Sequence, residues 1–318
     1  MPIKGDPPLP VVRVGEIVSE DHAPRWLVEQ LWGASSVGVI GGAPKCAKTW
    51  LGLDLALSVA TGTPCLGHYA VRQPGPVLVY LAEDALPAVR QRVEGMARHR
   101  GLDLAAVEMH VITAPTLRLD RDPDRARLLQ AAQRLQPRLL LLDPLVRLHG
   151  IDENHAGEVA GLLAYFRSLQ RRLDLSVLLV HHTRKNAAGG VAAGQGLRGS
   201  SDIHAFGDSN LYLRRAKDHL VLSSEHRAAP ASPPVTLRLV TSQTGTPHLE
   251  VVGDVLHEPS HSLQERVLEL LAQGALTRTK LRESLAVKNE RLGEALESLE
   301  RAGKLSHTAA GWQRRLTG

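Results

Sequence analysis

From Ser36 onward the chain alternates short apolar runs with longer stretches of helical spacing. Residues 37–40, 77–81, 109–112, 139–142 and 177–180 are short, rich in Val and Leu, and have the length of buried strands. Between them, residues 50–60, 85–99, 123–135 and 157–172 carry apolar positions three and four apart, the period of a helix. Strands separated by helices imply parallel pairing with right-handed crossovers, so the pattern predicts an α/β, doubly wound, mostly parallel sheet. Past Phe206 the helical period disappears. Residues 209–213, 220–223, 235–240 and 248–252 look like strands joined by polar turns, able to extend the sheet in antiparallel fashion. A break at residues 258–261 leads to three helical segments, 262–272, 277–285 and 289–302, of which the second is opened by the capping residue Thr277. A turn at 309–311, between Leu305 and Trp312, then suggests a two-stranded wing. The domains expected are a proline-containing lead segment, 1–35, packed onto its neighbour; a core α/β domain, 36–258; and a small winged-helix-like domain, 259–318.

Composition narrows the classes. The 318 residues are 43% hydrophobic and 22% charged, near the values of an ordinary globular chain. No apolar run approaches the roughly 20 residues that cross a bilayer. The N-terminus has no apolar secretory core, and the two cysteines, Cys46 and Cys65, are too few for a disulfide framework, so a soluble cytoplasmic protein is expected. A net charge of +5 favours contact with a polyanion, but many basic proteins bind none. An aromatic content of 3% argues against a surface built from stacked bases.

The first chemistry-bearing motif is Gly42-Ala43-Pro44-Lys45-Cys46-Ala47-Lys48-Thr49, set between the strand 37–40 and a strongly apolar helix. A phosphate-binding loop requires that context: backbone N–H groups and a helix N-terminus face the phosphates, Lys48 reaches the β- and γ-phosphates, and the Thr49 hydroxyl ligates Mg2+. The departure is Ala47, where the usual pattern has glycine. Alanine is small and helix-compatible, so the loop is expected to close around phosphate.

Two apolar strands end in acids. Residues 139–142 run into Asp143-Pro144, placing a carboxylate at a strand's C-terminal end, where α/β proteins bind ligands. Asp143 is the candidate to hold Mg2+, the alternative being a local cap. Residues 77–81 end in Ala82-Glu83-Asp84, which nominates Glu83 to polarise the attacking water and Asp84 to cap the following helix; a solvated turn is the alternative for Glu83.

These blocks, with Val180-His181-His182-Thr183 and Leu197-Arg198-Gly199-Ser200-Ser201, resemble the RecA-like ATPases over about residues 24–252. In particular they resemble the plasmid replicative hexameric helicases of the RepA kind and their AAA-like relatives in mobile elements. The resemblance implies ATP and Mg2+ as cofactors, and a homo-oligomer, a hexamer, that works on single-stranded DNA alongside replication or mobile-element partners. It implies that His182 senses the γ-phosphate, although a structural histidine pair with His181 is the alternative. Arg184 and Lys185 open the loop 183–197, at the place of a DNA-contacting loop, with a plain connector as the alternative. For an arginine finger it nominates Arg227, then Arg198, then Arg214. Relatives often carry Lys-x-Arg where this chain has Glu225-His226-Arg227, so the lysine is missing.

From Ser260 on there are ten Lys and Arg against seven Glu. The third helix nevertheless displays Glu290, Glu294, Glu297 and Glu300, which argues against strong base reading; a protein contact or a lid is the alternative use of this module. If it meets DNA, Arg278, Lys280, Arg282, Lys288, Arg314 and Arg315 are the phosphate contacts. Two functions stand as expectations: an ATP-driven helicase or translocase on single-stranded DNA, or an ATP-switched DNA-binding regulator or loader. A phosphate-loop kinase or metabolic ATPase is a third, weaker reading, without a substrate signature.

Overall fold

The computed structural model describes residues 11–16, 25–153, 155–182, 201–241, 245–252, 263–272, 274–285, 287, 289–308 and 311–314. The chain divides into two compact units, Met1–Gly253 and Asp254–Gly318. No described helix is long and apolar enough to cross a membrane.

In the first unit, β1 (Trp26–Val28) and β2 (Trp32–Gly33) pair antiparallel. Trp32 is fully buried, and the Trp26 ring meets His226 edge-on at 4.9 Å, so this part of the lead segment is packed into the domain. The main sheet contains β3 (Val37–Gly42), β4 (Val77–Leu81), β5 (Met109–Val111), β6 (Leu139–Asp143), β7 (Ser176–His182), β8 (Ser209–Ala216), β9 (His219–His226), β10 (Val235–Thr241) and β11 (Pro247–Val251). Their order across the sheet is β11-β10-β9-β8-β3-β7-β6-β4-β5. The strands from β8 to β5 run parallel, and β9, β10 and β11 extend the sheet by antiparallel pairing, as the change of pattern after Phe206 implied.

Side chains alternate between two cores, which is why each parallel strand reads as a continuous apolar run. Leu139, Leu141, Leu178 and Val180 face one core together with α1 (Lys48–Thr61) and α2 (Leu86–His99). Leu140, Leu142, Val177 and Leu179 face the other with α3 (Asp122–Leu135), α4 (Ala156–Leu173) and α5 (Ser201–Phe206). The sheet is therefore wound on both faces. β3 lies at its centre and is glycine-rich for a steric reason: a Cβ on Gly38 would stand 1.7 Å from the Ser209 carbonyl oxygen of β8. α1 is apolar nearly all round because it is buried from Leu51 to Val59, and it ends at Gly62, whose φ of 75° no side chain favours.

α1 also carries a buried acid, Asp54. Its carboxylate accepts from the Leu66 N–H at 2.7 Å and from Arg100 Nη2 at 2.6 Å, so the charge is paired. Arg100, just past the end of α2, thereby ties α2 to α1.

The second unit contains α6 (Leu263–Ala272), α7 (Arg278–Leu285), α8 (Asn289–Arg301) and an antiparallel hairpin of β12 (Leu305–Thr308) and β13 (Gly311–Arg314). Val267, Leu271, Leu281, Leu285, Leu292, Leu296 and Leu305 make its core. Thr277 caps α7, its Oγ1 accepting from the Lys280 N–H at 3.3 Å. Lys280 and Arg282 are exposed on α7, and Glu297 and Glu300 are exposed on α8. Lys288 and Arg315 lie outside the described residues.

Candidate nucleotide site

The sheet register brings the C-terminal ends of four parallel strands together. Gly42, where the phosphate loop leaves β3, lies opposite His182 at the end of β7. Leu81 lies opposite Asp143, and the Ala82 N–H donates to the Asp143 carbonyl at 2.8 Å, which holds the two acidic strand ends side by side. A cleft of about 530 Å³ opens here, lined by Lys45, Ala47, Lys48, Thr49, Glu83 and Asp143, with His182 on its wall. Four blocks far apart in the chain thus share the crevice that an open α/β sheet offers to ligands.

Lys48 Nζ donates to the carbonyls of Gly42 at 3.0 Å and Ala43 at 2.8 Å, bracing the loop across its mouth. Burial holds its pKa below the ordinary lysine value, against the pull of Cys46, Asp143 and Glu83. The Thr49 hydroxyl donates to Asp143, which is 7% exposed. Burial raises the Asp143 carboxyl to about 6; the Thr49 bond and Lys48 oppose this, while Asp84 and Glu83 add to it. Oδ2 of Asp143 is buried with no hydrogen-bond partner. A hard dication beside Thr49 would satisfy that oxygen, so the donor set fits Mg2+.

The glycine-to-alanine departure reads differently in three dimensions. Ala47 does not belong to the helix; it is the residue before it, at φ 58° and ψ 26°, in the left-handed region, and Lys45 also has positive φ, 63°. The relevant cost of Ala47 is backbone strain, and helix compatibility does not enter.

The acidic pair also separates. Asp84 does not cap α2. Ala85 occupies the cap position without a side-chain bond, and the Asp84 carboxylate pairs with Arg92 at 2.7 Å. Arg92 in turn lies over the Trp50 ring at 5.4 Å. Glu83 is half-exposed at the rim, where Arg147 Nε donates to it at 2.7 Å.

Of the arginines nominated as fingers, Arg198 lies outside the described residues, as do Arg184 and Lys185. Arg227 follows β9, which runs antiparallel to β8, and so stands at the sheet edge away from the phosphate loop. There it donates to the Ala205 carbonyl at 2.8 Å and pairs with Asp208 at 3.5 Å. Arg214 is exposed on β8. Its neighbour Arg215, not singled out from sequence, reaches the loop: Nη2 donates to the Lys45 carbonyl at 2.7 Å. Asp218 and His219, at the β8–β9 turn, also line the cleft. Two successive arginines in a strand point to opposite faces, and only the pairing of β8 with β3 reveals which one meets the loop.

Comparison with known proteins agrees with this geometry. Residues 6–188 match the family model described as the AAA domain. Among solved structures, a helicase ATPase domain superposes with a TM-score of 0.51 at 13% identity, over 67% of this chain and 84% of that one. The RadB recombinase gives a TM-score of 0.49 at 17% identity, over 69% of this chain and 92% of that one. The first likeness is one of fold, and the fold is that of the RecA-like P-loop ATPases.

Proposed function

The chain belongs to the AAA-domain family, and from that premise we propose that it is a magnesium-dependent ATPase working as a DNA-associated motor. The finer reading is a hexameric helicase or translocase of the RepA type on single-stranded DNA. One observation carries the proposal: Lys48, Thr49, Asp143, Glu83 and His182 converge on a single cleft from four strand ends.

In this reading the loop N–H groups and Lys48 hold the β- and γ-phosphates. Thr49 and Asp143 hold Mg2+, which supplies charge neutralisation on the transferring phosphoryl group. Glu83 orients and deprotonates water, with Arg147 positioning its carboxylate, and His182 reports the γ-phosphate to the chain that continues from β7. Arg227 keeps the role of a finger toward a neighbouring subunit only if its bonds to Ala205 and Asp208 are exchanged on assembly.

The C-terminal unit favours a second reading. Three helices followed by a hairpin are the elements of a winged helix, and Lys280 and Arg282 stand exposed on its second helix. Such a module suits an ATP-switched DNA-binding regulator or loader that does not unwind DNA.

ATP hydrolysis with and without single-stranded DNA, together with particle mass by light scattering in ATP, tests the motor. The expected result is a ring whose turnover rises with DNA, is abolished by Lys48→Ala, and falls about a hundredfold or more in Glu83→Gln with ATP binding retained. Turnover retained in Lys48→Ala would sink the proposal. A forked duplex separates the two readings, since ATP-dependent strand separation excludes the switch.

A further inference from the structure

Away from the nucleotide cleft, α2 and β11 bring together three side chains with metal-ligating atoms. The His99 ring, in the last turn of α2, stacks on His248 of β11 with centroids 3.7 Å apart and planes at 29°. Gly95 permits this. It lies one helical turn before His99 on the same face, and a Cβ there would stand 2.0 Å from Thr246 Cγ2. The missing side chain lets α2 settle against the start of β11, which delivers the exposed His99 ring over the buried His248.

His248 has acceptors on both sides. Its Nδ1 is 3.3 Å from the Thr246 carbonyl oxygen and its Nε2 is 2.7 Å from Glu250 Oε1. A neutral imidazole has one N–H and one lone pair, so it cannot donate to both. With Nδ1–H on the carbonyl, the Nε2 lone pair faces a carboxylate, an arrangement that a cation between them resolves. A backbone carbonyl fixing the far nitrogen of a histidine is also how metal-ligating imidazoles are usually oriented. His99 supplies a second lone pair: burial first, and the adjacent His248 next, hold its pKa below the ordinary histidine value. The candidate ligand atoms of His99, His248 and Glu250 all lie within 4.8 Å of one another.

We propose that His99, His248 and Glu250 bind a transition-metal dication of the zinc class, which clips the C-terminal end of α2 to β11. Two imidazoles and one carboxylate suit zinc, and the set leaves the fourth tetrahedral position to water; magnesium and calcium prefer oxygen ligands throughout. Bonds of about 2.0–2.1 Å set tetrahedral ligand atoms roughly 3.4 Å apart, so the exposed His99 ring moves inward by about 1 Å on binding. The clip would hold α2, which carries Arg92 toward the nucleotide cleft, against the antiparallel end of the sheet.

The test is titration of the tag-free, nucleotide-free full chain with zinc by calorimetry, with thermal melts in zinc and in chelator. One equivalent is expected, raising the melting temperature. Affinity should fall about tenfold or more in His248→Gln and in Glu250→Gln, and stay unchanged in Asp143→Asn, which alters the nucleotide site. Glu250 is half-exposed, so its variant keeps the fold even if the buried histidine variant does not. Absence of zinc binding by the parent protein overturns the proposal, as does binding unchanged in Glu250→Gln.

Discussion

The Thr49 hydroxyl donates to Asp143, yet Oδ2 of the same carboxylate is buried without a hydrogen-bond partner. The bond orients the acid toward the mouth of the phosphate loop, and the unpaired oxygen makes its charge costly until a cation arrives.

That cost gives a pH dependence with a defined sign. Asp143 is raised from 3.8 to about 6 in the folded chain. A group raised on folding contributes stability that is fully present below its unfolded pKa and lost as pH rises through its folded one. Asp143→Asn should therefore melt higher than the parent above about pH 6, by at most a few kcal/mol, with the difference vanishing near about pH 4. Thermal melts across that range without Mg2+ measure it; a difference independent of pH would contradict the assignment.

Ala47→Gly tests the strained loop. A left-handed alanine costs about 1–2 kcal/mol, and glycine adds about 0.5–1 kcal/mol of unfolded-state entropy. The variant should be equal in stability or up to about 1 kcal/mol more stable, the reverse of what glycine does inside a helix. Urea denaturation decides this, and a loss above about 1 kcal/mol would argue against the left-handed conformation.

Arg215 holds the Lys45 carbonyl from a strand that the loop itself does not belong to. Removing it in Arg215→Ala should weaken ATP binding by about 1 kcal/mol, roughly fivefold, while the melting temperature scarcely changes because the side chain is exposed. Binding of a fluorescent ATP analogue reads the first effect and a thermal melt the second.

Arg100→Ala should behave in the opposite way. Arg100 and Asp54 pair at 2.6 Å with side chains 13% and 4% exposed, so the variant leaves an acid buried without its counter-charge. The expected loss is about 3–5 kcal/mol. Adding Asp54→Asn should recover much of it, since the uncompensated charge is then gone. Chemical denaturation of both proteins checks the pair.

The alternation of apolar runs with helical spacing determined the order of strands and helices from residue 37 to residue 251, because both periods are written in near neighbours. The phosphate loop, Asp143 and Glu83 were legible for the same reason: each comes directly after an apolar strand, and strand ends in a parallel sheet share one edge. Tertiary structure decided the rest. Whether Arg214 or Arg215 meets the loop depends on the register of β8 against β3. The choice of Asp84 to pair with Arg92, instead of capping α2, depends on how the helix leaves the sheet. The meeting of His99 with His248 depends on a glycine one turn away that lets two elements close. Local spacing specifies a period and a strand end; which side chains then touch is set by packing between segments remote in the chain, and no local pattern records it.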